Sequence, residues 1–124
     1  MNKRKEQTEL NQKILKAAFE ENDLKVARII FAEKAETGMS ANDWLIRAAS
    51  LGQPELVNLC IEFGATDLRS ALQTAASNGQ ISIVKQLVEM GVTVTIHEVK
   101  LAKENGHRGT GKYLALVRAK KFAK

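Results

Sequence analysis

Along the middle of the chain, apolar residues return at intervals of three and four rather than two. Leu56, Val57, Cys60 and Ile61 form one such stripe, the spacing of a helix that buries a single face. Pro54 opens it, at a first-turn position where a missing N–H leaves no bond unmade, and Gly64 closes it. Ahead of it, Asp43 is the expected N-cap of a helix reaching about Leu51, because a carboxylate accepts from the free N–H groups of a first turn. Gly52 supplies the left-handed residue that ends this first helix. The unit is helix, tight turn, helix.

The unit recurs. Ala48-Ala49-Ser50-Leu51-Gly52-Gln53 returns as Ala75-Ala76-Ser77-Asn78-Gly79-Gln80, an offset of 27 residues. Leu56-Val57 answers Ile83-Val84, Cys60-Ile61 answers Leu87-Val88, and Gly64 answers Gly91. In this copy Ser70 is the expected cap, Gly79 the turn and Gly91 the stop. A weaker copy places Ala102, Gly106, Leu114 and Ala115 at the same offset, and upstream Ala18, Asn22, Val26, Ile29 and Ile30 match at an offset of 30. The alanine pairs have a mechanical use: they let neighbouring helices approach closely. Self-similarity at a fixed period is the signature of a stacked-repeat architecture.

Ala-Ala-x-x-Gly, an apolar helix and then Gly-Ala, as in Ala48 to Ala65 and again Ala75 to Gly91, resembles the ankyrin repeat. The resemblance spans about residues 13–115. It implies an all-α, ankyrin-like helix-turn-helix repeat solenoid of about four repeats, with approximate bounds 10–38, 39–66, 67–94 and 95–124. Together they would make one domain over 1–124, with 1–8 flexible. Leu10 to Lys34 and Lys112 to Lys124 are expected to give the ends the polar faces that keep a solenoid soluble. In the latter, Leu114, Val117 and Phe122 lie at helical spacing.

The sequence departs from the family at informative places. The family's Thr-Pro-Leu-His appears as Asp43-Trp44-Leu45-Ile46 and Ser70-Ala71-Leu72-Gln73. The histidine that ties neighbouring repeats is absent from both, which predicts weak coupling between units. The repeat is also shorter than the family's 33 residues. The missing residues fall between Gly64 and Ser70 and between Gly91 and His97, so the projecting β-hairpin fingers are expected to be shortened. Only Ala35 to Asn42 has more room.

The resemblance implies a binding module whose partner, another protein, meets the concave surface. Carried over by position, the partner-facing residues are Asn42, Ser50, Leu51, Arg69, Ser77, Asn78, Ile96, Glu104 and Asn105, with Trp44, Arg47 and Thr74 nearby. Leu51 is an apolar residue at a site expected to be exposed, as a binding patch requires. Trp44 has two readings: packed against the first connection with Met39, or an exposed anchor of the kind enriched at interfaces. A small effector or inhibitor is the role such a module suggests.

Composition limits the alternatives. The chain has 124 residues, 44% hydrophobic and 27% charged, with four Phe, one Trp and one Tyr, so Ala, Leu, Ile and Val must form most of the core. Net charge is +5, unevenly placed. Eight of the 19 basic residues, but only two of the 14 acidic ones, follow residue 95. Arg118, Lys120 and Lys121 are therefore candidate phosphate contacts, and association with nucleic acid through this basic helix is the alternative function. The competing view is a solvated cap whose lysines complement the helix dipole.

Gly106 to Lys112 satisfies the G-x-x-x-x-G-K part of a phosphate loop. However, Tyr113 stands where the magnesium-binding hydroxyl belongs, and Glu98 to Asn105 has the pattern of a helix rather than a strand. A basic loop at the repeat's turn is the expectation. His97 and His107 offer no metal spacing with the lone Cys60, which sits on an apolar face and is expected to be buried and inert. No catalytic constellation, cofactor motif or apolar run long enough to span a bilayer is present, and the N-terminus lacks a signal-like apolar stretch. The expectation is a non-enzymatic, cytoplasmic monomer without cofactor or metal.

Overall fold

In a computed structural model the described residues are 2–122, with side chains through Lys120. Eight helices follow one another: α1 (Lys3–Glu20), α2 (Leu24–Ala32), α3 (Ala41–Leu51), α4 (Pro54–Glu62), α5 (Leu68–Ser77), α6 (Ile81–Glu89), α7 (Ile96–Glu104) and α8 (Arg108–Phe122). No strand occurs among the described residues. Each odd-numbered helix pairs with its successor, α3 and α5 each pack on the next odd-numbered helix, and α4 lies against both α2 and α6. The result is two helical layers joined by tight turns.

The core runs between the layers. Ala48, Ala49, Ala75, Ala76 and Ala102 are fully buried, as are Leu56, Val57, Cys60, Ile83, Val84, Leu87 and Leu114. The alanines lie where the layers meet, and the larger residues of the even-numbered helices fill the remaining space.

Two turn positions explain how the first repeat can differ in sequence yet keep the shape. Asn22, Gly52, Gly79 and Gly106 are all left-handed, with φ of 54°, 71°, 68° and 82°. Asparagine tolerates that region better than other non-glycine residues. At the end of the second helix, Gly64 and Gly91 are left-handed as well, and Lys34 occupies the equivalent place with φ 54°. Lys34 therefore carries backbone strain that its counterparts avoid.

The helix starts lie a turn earlier than the sequence pattern predicted. Ser40, not Asp43, caps α3, and Asp43 closes a capping box by accepting from the Ser40 N–H at 2.8 Å. Asp67, not Ser70, caps α5. The capping-box spacing of a hydroxyl followed three residues later by a carboxylate recurs at Thr95 and Glu98 of α7. Residues 3–8, expected to be flexible, form the first turns of α1. Arg4 pairs with Glu36, while Asn11 and Gln12 donate to the Glu36 and Thr37 carbonyls at 2.9 and 3.0 Å. These bonds hold the long first connection against α1.

The ends are less uniformly polar than expected. Leu10 and Ile29 of the first hairpin are about half exposed, and so is Leu116 of α8. Leu114 is buried and Val117 half-buried; the Phe122 side chain lies outside the described residues.

Candidate functional site

The missing histidines are replaced by a different set of ties, and these involve residues expected to face a partner. Asn42 Oδ1 accepts from the Thr66 and Asp67 N–H groups at 2.8 and 3.0 Å. One repeat on, Arg69 donates to the Thr93 carbonyl at 2.8 Å and to the Glu98 carboxylate at 3.1 Å. Asn42 and Arg69 occupy equivalent positions, and each bonds forward to the next repeat. They act as structural ties, although the Arg69 side chain stays partly exposed. Ile96, third in the series, is exposed.

A second series runs through the turns. The Gln80 side chain lies over Gly52 and donates to the Ser50 carbonyl at 2.9 Å. His107, its equivalent, lies over Gly79, where an added Cβ would overlap the imidazole ring. On the other layer Gln86 Nε2 bridges the Pro54 carbonyl and Asn58 Oδ1 at 3.0 and 2.9 Å. Adjacent repeats thus meet through amide and guanidinium groups and the His107 ring, at positions other than the family's inter-repeat histidine.

Trp44 is 1% exposed, which removes it from any binding surface. Its indole packs on Phe19 with ring centroids 5.0 Å apart, and Nε1 donates to Thr37 Oγ1 at 3.1 Å. Phe19 meets Phe31, which stacks on Phe63. The large aromatics of the first two repeats thus form one cluster, and a buried indole N–H needs the partner that Thr37 supplies.

What remains of the expected surface converges on α3. Arg47, Ser50, Leu51 and Thr74 line an open groove of about 470 Å³ together with Met39, Asp43 and Ile46. Asp43, Ile46, Arg47 and Ser50 follow the i, i+3, i+4, i+7 rule of one helix face, a pattern that could have drawn Ile46 into the candidate set. Leu51 is 37% exposed, and the Arg47 guanidinium sits 6.0 Å from the Trp44 ring centroid. Apolar Met39, Ile46 and Leu51 are thereby flanked by one acidic and one basic residue.

The other candidates lie apart from this groove. Ser77 is half-buried. Asn78 and Asn105 are exposed and donate back to the Thr74 and Leu101 carbonyls of their own helices. Glu104 is exposed near Asn105. Arg118 lines a different groove with Val88 and Val94, Lys120 is exposed, and Lys121 falls outside the described side chains. The glycine-rich segment is not a loop: Gly106 is the turn, and α8 begins at Arg108. Cys60 is buried, and that burial pushes its thiol up to about 12. No cluster of three metal-ligating side chains occurs among the described residues, and no helix among them is long and apolar enough to cross a membrane.

A family model described as ankyrin repeats, in three copies, matches residues 14–98. The chain belongs to the ankyrin-repeat family. A comparison with curated proteins finds no match. Ankyrin repeats are generally protein–protein interaction modules and typically non-catalytic. In this ankyrin-repeat protein the family match runs from within α1 to the start of α7, and α8 lies beyond it.

Proposed function

We propose that this ankyrin-repeat protein binds a partner protein through the face of its odd-numbered helices, with the α3–α5 groove as the anchor point. It acts as a cytoplasmic monomer, an effector or inhibitor that works by occupying its partner's surface. The observation that carries the reading is the groove itself. Met39, Ile46 and Leu51 offer apolar contact area, and Asp43 and Arg47 on either side offer polar contacts that orient what lies there. The ties through Asn42, Arg69 and Gln80 hold the flanking repeats together, so little ordering entropy is lost on binding.

The test is quantitative capture from the native cell by the wild-type chain, by Leu51→Glu and by Arg47→Glu. A specific partner retained by the wild type and lost by both variants, at unchanged melting temperature, supports the reading. A partner held equally by all three removes the groove from the interface. Arg69 is unsuited to this test, because its replacement also loosens the repeat stack.

A further inference from the structure

A second groove, of about 510 Å³, opens between the starts of α6 and α8, lined among others by Ile81, Lys85, Arg108, Thr110 and Tyr113. No carboxylate lines it, and the first turn of α8 contains no acidic residue. The Gly111 N–H bonds to the His107 carbonyl at 2.9 Å, whereas the N–H groups of Arg108, Gly109 and Thr110 have no acceptor among the described residues. Open N–H groups at a helix start favour an anion. The space beside them is free, since a Cβ at Gly109 would meet nothing within 4 Å.

Thr110 supplies an independent pointer. It is 6% exposed and lines the groove, yet its hydroxyl makes no hydrogen bond among the described residues. The hydroxyl oxygen is not sealed from solvent, so it is open to whatever occupies the groove. Lys85 Nζ lies 5.5 Å from the Tyr113 ring centroid, and neither Lys85 nor Arg108 has an ion-pair partner among the described residues. Three backbone donors, a hydroxyl and two cations suit a group with several terminal oxygens and two negative charges. The volume falls within the roughly 300–1,000 Å³ of small-molecule sites, more than one tetrahedral anion fills.

We infer that this groove binds a phosphate monoester. The phosphate sits on the first turn of α8 with the Thr110 hydroxyl, between Lys85 and Arg108, and the organic part lies on Tyr113 and Ile81. The site is distinct from the α3–α5 groove and does not depend on it. A free metabolite and a phosphorylated side chain share this chemistry.

Amide NMR spectra of the full chain, titrated at constant ionic strength with inorganic phosphate, phenyl phosphate and a blocked phosphotyrosine tripeptide, test the inference. Phenyl phosphate is expected to shift Gly109 and Thr110 saturably at millimolar concentration, more tightly than inorganic phosphate. Lys85→Gln and Thr110→Val are each expected to weaken it about tenfold, the scale of one hydrogen bond to a charged group. Tighter binding of the tripeptide assigns the ligand to a protein side chain; its exclusion while phenyl phosphate binds assigns a small metabolite. No saturable shift, or shifts reproduced by sodium chloride, or affinity unchanged in Lys85→Gln, overturns the inference. Because Leu51→Glu leaves this groove intact, its failure is separable from that of the protein-binding reading.

Discussion

Arg69 donates to a carboxylate of Glu98 that is wholly withdrawn from solvent, at 3.1 Å, across the boundary between two repeats. The Glu98 side chain also accepts from the Thr95 N–H and hydroxyl, each at 2.9 Å. One carboxylate therefore caps α7 and anchors α5 to it. Glu98→Ala strands these donors and is expected to lower stability by about 2–3 kcal/mol. Arg69→Ala should cost at least as much, about 3 kcal/mol, because it leaves the buried carboxylate without its counter-charge. Urea denaturation of both variants checks the order. Equal stability of Glu98→Ala and wild type would sever the tie.

Lys34 holds a left-handed backbone where the later repeats have Gly64 and Gly91. That conformation costs a non-glycine residue about 1–2 kcal/mol, partly offset by the chain entropy that glycine loses on folding. Lys34→Gly is accordingly expected to stabilise the protein by about 0.5–1 kcal/mol, seen as a raised melting temperature.

The opposite holds at Gly79. Alanine there would combine a positive φ with overlap of the His107 ring, so Gly79→Ala is expected to destabilise by about 2 kcal/mol. Pairing it with His107→Ala should recover the steric part and leave the backbone part, a separation that a double-mutant cycle reads directly.

Trp44 is the sole tryptophan and is buried against Phe19, which makes it a clean probe. Its emission should be blue-shifted and poorly quenched by acrylamide until the protein unfolds. Trp44→Ala should cost about 3–5 kcal/mol, as for other large core truncations. Trp44→Phe, which keeps an aromatic ring but loses the bond to Thr37 Oγ1, should cost about 1–2 kcal/mol.

Burial lifts the Cys60 thiol to about 12, against about 8.5 in an unfolded chain. A folded-state value raised above the unfolded one contributes stability in full below the unfolded value. That contribution is lost as pH climbs through the window between them. Near pH 9.5 the loss should reach about 1.4 kcal/mol by linkage, and Cys60→Ala should abolish that part of the slope. The native thiol should also resist thiol reagents at pH 8 and react only after denaturation.

The helical repeat was legible because it rests on local rules. Gly52 and Gly79 mark the turns, Pro54 opens α4 as its missing N–H permits, and the stripe from Leu56 to Ile61 states which face is inside. The cap positions were legible too, in the Ser40–Asp43 and Thr95–Glu98 spacings, although the sequence pattern pointed to Asp43 and Ser70. Ile46 lay in the same category, one turn from Asp43 and Ser50 on a single helix face.

By itself, then, the sequence determined the period, the helix pairs, the buried alanines and the site of the lone cysteine, all properties of one unit repeating along the chain. Tertiary structure alone decided which polar residues look outward. Asn42 and Arg69 resemble surface residues in sequence but bond to the next repeat, because stacking brings the 66–67 and 93–98 segments within reach of their side chains. Trp44 turned inward for the same kind of reason: Phe19 and Thr37, from another helix and a connection, together supply an apolar wall and an acceptor for its N–H. Such contacts depend on how neighbouring units superpose, and no local spacing encodes that.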